Sequence, residues 1–268
     1  IDAKQAQRRF PQFRFGDAEA VLDDHTAGVI AAERTIAGLR TLLPEMGVSV
    51  VENNRVLAID PVADPVVVDT DQGRFEAGRV VVTAGPWAGR LIPGLAGRLQ
   101  AIRQTVTYWT LDGTKDGLGL GRFPVWVYLG VGRNDTYYGL PSFGEPGIKA
   151  ARFVHDGVVD DPDRLDVAVA AADVERVRRL LGEQLRPKIG DLIKTETCYF
   201  TNTETEDYIL DEAVSGGRVV VGAGLSGHGF KLAPLSGRIL AGLATTGETG
   251  VAAFDGNRAR FRVGYGGT

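Results

Sequence analysis

The sequence predicts an α+β chain, with an α/β part at its two ends and an antiparallel sheet between them. Three observations carry this. Two apolar β-branched runs end in small residues and glycine, Val80-Val81-Val82 before Thr-Ala-Gly and Val219-Val220-Val221 before Gly-Ala-Gly. Such runs read as buried strands, parallel in character, with something docked at their C-terminal ends. Helical periodicity accompanies both ends, in His25 to Gly47 and in Leu235 to Gly247, whereas Leu99 to Leu140 alternates aromatic and β-branched residues with no long helix. A chain that leaves one pattern and returns to it implies two domains traversed discontinuously, 1–97 with 191–268 and 98–190.

The elements follow in order. Ile30, Ile36, Leu39 and Leu43 fall near helical spacing opposite Glu33 and Arg34, and Pro44 with Gly47 closes the helix. Asp71-Gln72-Gly73 between Val66–Asp71 and Arg74–Glu76 is a hairpin signal. IRQTVTYWTL, FPVWVYLGV and DTYYGLPSF read as antiparallel strands, and Asp166 to Leu181 as a helix. IKTETCYFTN and EDYILDE read as two more strands before RVVVGAG and the closing helix.

Composition narrows the function classes. The 268 residues suffice for a substantial core. Thirty Lys plus Arg against 34 Asp plus Glu give a formal charge of −4, which offers no electrostatic reason for nucleic acid or an anionic membrane. No apolar stretch approaches the ~20 residues that span a bilayer. The N-terminus lacks the apolar core of a signal peptide, so the cytoplasm is the expected location. A single cysteine, Cys198, excludes an intrachain disulfide and a multi-cysteine zinc site.

The segment GAGLSGHGFK raises the question of a phosphate loop. Gly222, Gly224 and Gly227 fit G-x-G-x-x-G, but the fingerprint also requires a βαβ unit with an acidic residue ~20 positions on, and no second strand follows here. Two readings stay open: a tight turn whose glycines permit close packing, and a turn whose amides and Lys231 face a delocalised anion or a flat ring edge.

These residues resemble the monomeric sarcosine oxidase and N-methyltryptophan oxidase family within the D-amino-acid-oxidase-like FAD enzymes. GAGLSGHGFK is similar to the family's C-terminal flavin-binding signature, and VVVTAGPWAGRLIPGL to its V-x-x-x-G-x-W motif. TAGVIAAERTIAGLRTLLPEMGVSVVENNRV, RQTVTYW, YYGLPSFGEPGIK and CYFTNTETEDYILD resemble further family segments, in the family's order. One departure is large: the family opens with a strand, G-x-G-x-x-G and a helix that bind the FAD pyrophosphate, and this sequence has none of them. The expected fold is therefore a D-amino-acid-oxidase-like two-domain flavoprotein truncated at its N-terminus, with a missing segment or a partner chain supplying the rest.

The resemblance implies roles residue by residue. Cys198 matches the cysteine that links FAD covalently. Lys149 matches the oxygen-activating lysine, and Lys231 and Tyr138 match groups at the substrate carboxylate. His155 stands near the place of a family histidine, which is Phe153 here, and a family tyrosine after the cysteine is Phe200. Both changes favour a bulkier secondary amine over sarcosine. Val56, Ala84, Gly85, Trp87, Gly224, Ser226, Gly227, His228, Gly229 and Phe230 match flavin-lining positions, His228 as an orienting group for its loop. The implied reaction is FAD-dependent oxidation of an N-methyl, secondary or cyclic amino acid to an imine, with O2 reduced to hydrogen peroxide. The alternative is an inactive fragment or interaction subunit of such an oxidase.

Overall fold

The run Val219–Ala223 forms a strand with all five residues buried, because it is the central member of a three-stranded sheet. It pairs parallel with Val80–Val82 in the register Val219↔Val80 to Val221↔Val82, and antiparallel with Ile209–Glu212. The computed structural model describes residues 1–16, 18, 20–113, 117–131, 135–153, 157–164, 168–214 and 216–264.

In chain order the elements are helices α1 (Ala3–Arg9) and α2 (Ala32–Glu45), strands β1 (Val56–Asp60), β2 (Val66–Thr70), β3 (Gly73–Ala77) and β4 (Val80–Val82), then the short α3 (Ala88–Leu91). Strands β5 (Gln100–Leu111), β6 (Trp126–Leu129), β7 (Thr136–Leu140), β8 (Ile148–Arg152) and β9 (Val158–Val159) follow, then α4 (Ala171–Gln184). Strands β10 (Ile189–Asn202), β11 (Ile209–Glu212) and β12 (Val219–Ala223) precede α5 (Ala233–Thr245) and α6 (Ala252–Asp255).

The chain divides into two compact units. The first comprises Ile1–Val29, Arg103–Val158 and Arg164–Cys198. Its sheet runs β10-β5-β8-β7-β6, with β9 also on β5. One face is packed by α4: Val177, Leu180 and Leu181 meet Trp109, Ile148, Ala150 and Tyr137 in one apolar core. The aromatic alternation read from the sequence is this face. The α4 helix starts later than Asp166; residues 165–167 lie outside the described set. Helix α1, which the sequence reading missed, is set by a capping box in which Asp2 accepts from the Gln5 amide and the Gln5 side chain accepts from Asp2.

The second unit comprises Ile30–Ile102, Val159–Asp163 and Tyr199–Thr268. The hairpin forms as read, β2 pairing antiparallel with β3 around Asp71-Gln72. Helix α5 packs Ile239, Leu240 and Leu243 against Val220 and Leu210. The valines of β4 are less buried than their composition suggests, since β4 is an edge strand and Val81 is 45% exposed. Helix α2 has no buried residue, so its apolar stripe of Ile36, Leu39 and Leu42 lies open.

Candidate functional site

In the second unit the site-bearing segment is the turn from β12 into α5. After Ala223 the backbone reverses through Gly224 (φ 65°), Ser226 (φ 47°) and Gly227 (φ 78°). Left-handed backbone at these points favours glycine. Contact reinforces the choice: a Cβ on Gly224 would overlap the Thr203 methyl, and one on Gly227 would overlap the Phe200 ring. Ser226 is buried and tolerates its positive φ because its amide donates to the Thr201 carbonyl at 2.9 Å and its hydroxyl to the Gly224 carbonyl at 3.1 Å. Gly229 is buried, whereas Gly227, Phe230 and Lys231 are exposed. Phe230–Leu232 form one 3₁₀ turn that leads into α5.

His228 is held from the side by Tyr208, whose ring stacks on it at 5.1 Å between centroids. Partial burial, then the charge of Lys231, lowers the His228 pKa from its ordinary value. The imidazole is therefore neutral at pH 7 beside a cationic lysine. Tyr208 was not singled out in the sequence; it directly precedes β11, the strand paired with β12.

Ala84, Gly85 and Trp87 form the turn after β4, with Gly85–Trp87 in a 3₁₀ helix. The Trp87 indole is 38% exposed and donates to Asp163 at 2.7 Å. Asp163 also accepts from Arg90 at 2.6 Å and Arg55 at 2.7 Å. These donors hold its carboxyl down to about 2, Trp87 and Arg90 contributing most. Val56 opens β1 opposite Thr70 and is exposed.

In the first unit, strand register places three of the sequence-selected residues on one face. Lys149 lies opposite Tyr108 across β8 and β5, and Tyr138 opposite Ala151 across β7 and β8. Opposed residues share a face, as do residues two apart on one strand, so Lys149, Ala151, Tyr108 and Tyr138 project together. Tyr108 donates to Glu196 at 2.8 Å, which puts Glu196, and with it Cys198 two residues on, on that face also. It is the face away from α4.

Burial pushes the Tyr138 hydroxyl up to about 12, so it is a proton-bearing donor at neutral pH. Phe153 meets Tyr138 edge to face, with centroids 6.2 Å apart. Lys149 is half-buried. Cys198 is accessible, yet desolvation pushes its thiol above the usual cysteine range; Lys149 pulls it down and Glu196 pushes it up further. His155 lies outside the described residues. Among the described residues no cluster of His, Cys, Asp or Glu has the makings of a metal site, and no helix is long and apolar enough to cross a membrane.

A family model described as FAD dependent oxidoreductase matches residues 1–243. The peroxisomal sarcosine oxidase of Homo sapiens is 34% identical over 247 residues, covering 90% of this chain and 62% of that protein. The N-methyl-L-tryptophan oxidase of Salmonella agona is 30% identical, covering 91% of this chain and 64% of that protein. The chain thus spans less than two thirds of the length of these relatives. Among solved structures, NikD, an unusual amino acid oxidase essential for nikkomycin biosynthesis, superposes with TM-score 0.75 at 24% identity, over 94% of this chain and 66% of its own. The L-proline dehydrogenase from P. horikoshii superposes with TM-score 0.78 at 16% identity, over 98% of this chain and 67% of its own. At these identities the two structures speak to the fold alone.

Proposed function

This chain belongs to the FAD dependent oxidoreductase family, and from that premise we propose that it serves the oxidation of an N-methyl or other secondary amino acid, with dioxygen as electron acceptor. The observation that carries the reading is the single sheet face bearing Cys198, Lys149 and Tyr138.

The residues present fit a flavin. An accessible thiol next to a lysine's charge offers a covalent anchor. The glycine turn, packed at Gly224 against Thr203 and at Gly227 against Phe200, is a rigid backbone segment that could border a flat ring. When bound, the flavin supplies the two-electron acceptor for the C–H beside the substrate nitrogen.

The protein's own groups do the positioning. Lys231, exposed at the entry to α5, is the cation for the substrate carboxylate. Tyr138 keeps its proton and donates a hydrogen bond. Lys149 provides a fixed positive charge where negative charge develops on dioxygen, which needs no reorganisation during reaction. The Phe153 edge on Tyr138 lines this face with apolar surface, which suits a substituent larger than hydrogen.

The test is peroxide formation by the FAD-supplemented chain across N-methyl and cyclic amino acids. Lys231→Met is expected to raise KM for carboxylate substrates tenfold or more, and to leave methyl-ester analogues unaffected. Equal effects on acids and esters would remove the assignment. The open apolar stripe of α2 favours a second reading, an interaction subunit, which predicts no peroxide from the chain alone and peroxide only with a partner polypeptide.

A further inference from the structure

The face that carries Cys198 holds a charge cluster that the proposed chemistry does not use. Lys194 Nζ lies 2.7 Å from Glu196 Oε1 and 2.9 Å from Glu145 Oε1, and it stands over the Tyr108 ring at 5.5 Å. Tyr108 donates its hydroxyl proton to the other oxygen of Glu196 at 2.8 Å. Both carboxylate oxygens of Glu196 are therefore tied, one to an ammonium on its own strand and one to a hydroxyl on the neighbouring strand. This fixes the carboxylate in place and, with the hydrogen bond from Lys194 acting first and that from Tyr108 adding to it, holds it below the usual range, so it stays ionised. Two carboxylates around one ammonium leave the cluster one negative charge in excess.

Glu196 and Cys198 are separated by one strand repeat, about 7 Å along the same face. Lys149 stands on that face on the Tyr108 rung and is the opposing cation. The titratable groups facing the sulfur are then Glu196 from its own strand, Lys149 from β8 and Tyr138 from β7, with Lys194, Glu145 and Tyr108 acting through Glu196.

We infer that Glu196 is a positioning residue for the Cys198 sulfur: anchored by Lys194 and Tyr108, it opposes the pull of Lys149 from the same sheet face and, added to burial, disfavours the thiolate. The inference rests on the reading of Cys198 as the flavin anchor. A thiol is a weak nucleophile and the thiolate a strong one. An accessible cysteine guarded in this way resists chance alkylation and oxidation, and its reactivity is reserved for the partner that seats against this face.

The test reads the pH profile of iodoacetamide alkylation, in the 268-residue chain prepared without flavin. Alkylation forms the S–C bond, expels iodide and releases the thiol proton to buffer, and the single cysteine makes intact mass a sufficient readout. Glu196→Gln should raise the rate at pH 7.5 roughly three- to tenfold and move the profile to lower pH. Lys194→Met, which leaves both carboxylates uncompensated, should slow the reaction and move the profile to higher pH. Glu196→Asp should sit between Glu196→Gln and the parent. Loosened structure would speed alkylation in both variants, so the opposite signs separate electrostatics from unfolding. The inference is overturned if both variants shift the same way, or if neither shifts. Flavin attachment is scored separately: its failure with opposite signs intact sinks the anchor reading alone, and attachment with the signs absent sinks this one alone.

Discussion

The Tyr208 hydroxyl lies 2.8 Å from Nδ1 of His228 and 2.9 Å from the carbonyl oxygen of the same residue. A hydroxyl has one proton, so it donates to one of these atoms; when it donates to the carbonyl, Nδ1 must carry a hydrogen and donate back. Protonating the imidazole leaves Tyr208 donating to the carbonyl, but it places a cation beside Lys231 in partly buried surroundings. The His228 pKa is lowered from 6.5 in the folded chain, so the unfolded chain binds more protons near that pH. The associated stability is full above pH 6.5 and is lost as pH falls below it. Urea melts should show this decline as pH falls below 6.5, and His228→Asn should remove it. Tyr208→Phe should cost about 1 kcal/mol at pH 8.

The Gly227 turn makes a second prediction. A Cβ there meets the Phe200 ring and also requires a left-handed backbone. Gly227→Ala should cost about 1–3 kcal/mol in chemical denaturation. In a Phe200→Leu background the cost should be smaller, because the steric part disappears while the backbone part stays. Additive effects of the two changes would contradict the contact.

Asp163 gathers Trp87, Arg90 and Arg55. Its carboxyl is lowered from 3.8 to about 2, so the folded chain holds it ionised more firmly than the unfolded chain does. Its stabilisation is present above the unfolded value and is lost as pH falls through the folded one. The stability difference between the parent and Asp163→Ala should be constant above pH ~5 and fade between about pH 4 and 2. A difference independent of pH would contradict the ionic origin.

Phe153 against Tyr138 predicts substrate preference. Phe153→Ser should lower kcat/KM for an N-methyl amino acid with a large apolar side chain roughly tenfold relative to sarcosine. Paired steady-state assays check this, and an unchanged ratio would place the side chain elsewhere.

Much of this was legible from residues alone. Val219–Ala223 was readable because a run of β-branched residues ending in glycine has few alternatives to a buried strand, and Asp71-Gln72-Gly73 because its turn chemistry is local. Val81 and α2 were not: periodicity identifies an apolar face but does not say what covers it. The Asp163 node escaped notice because its partners Arg55, Trp87 and Arg90 are more than 70 residues away, and hydrogen bonds at that separation leave no local pattern. Glu196 was nearer to view. It is two positions from a selected cysteine on a strand, and period-two spacing alone was enough to put it on the same face.

Our proposal that Cys198 anchors the flavin is open to direct measurement. The direct measurement is intact mass of the FAD-supplemented 268-residue chain after acid denaturation, beside Cys198→Ala. Attachment at Cys198 adds roughly 0.8 kDa, the size of the cofactor, to the 28.6 kDa chain and nothing to the variant. A chain that keeps its sequence mass, or a variant that retains the adduct, would contradict it.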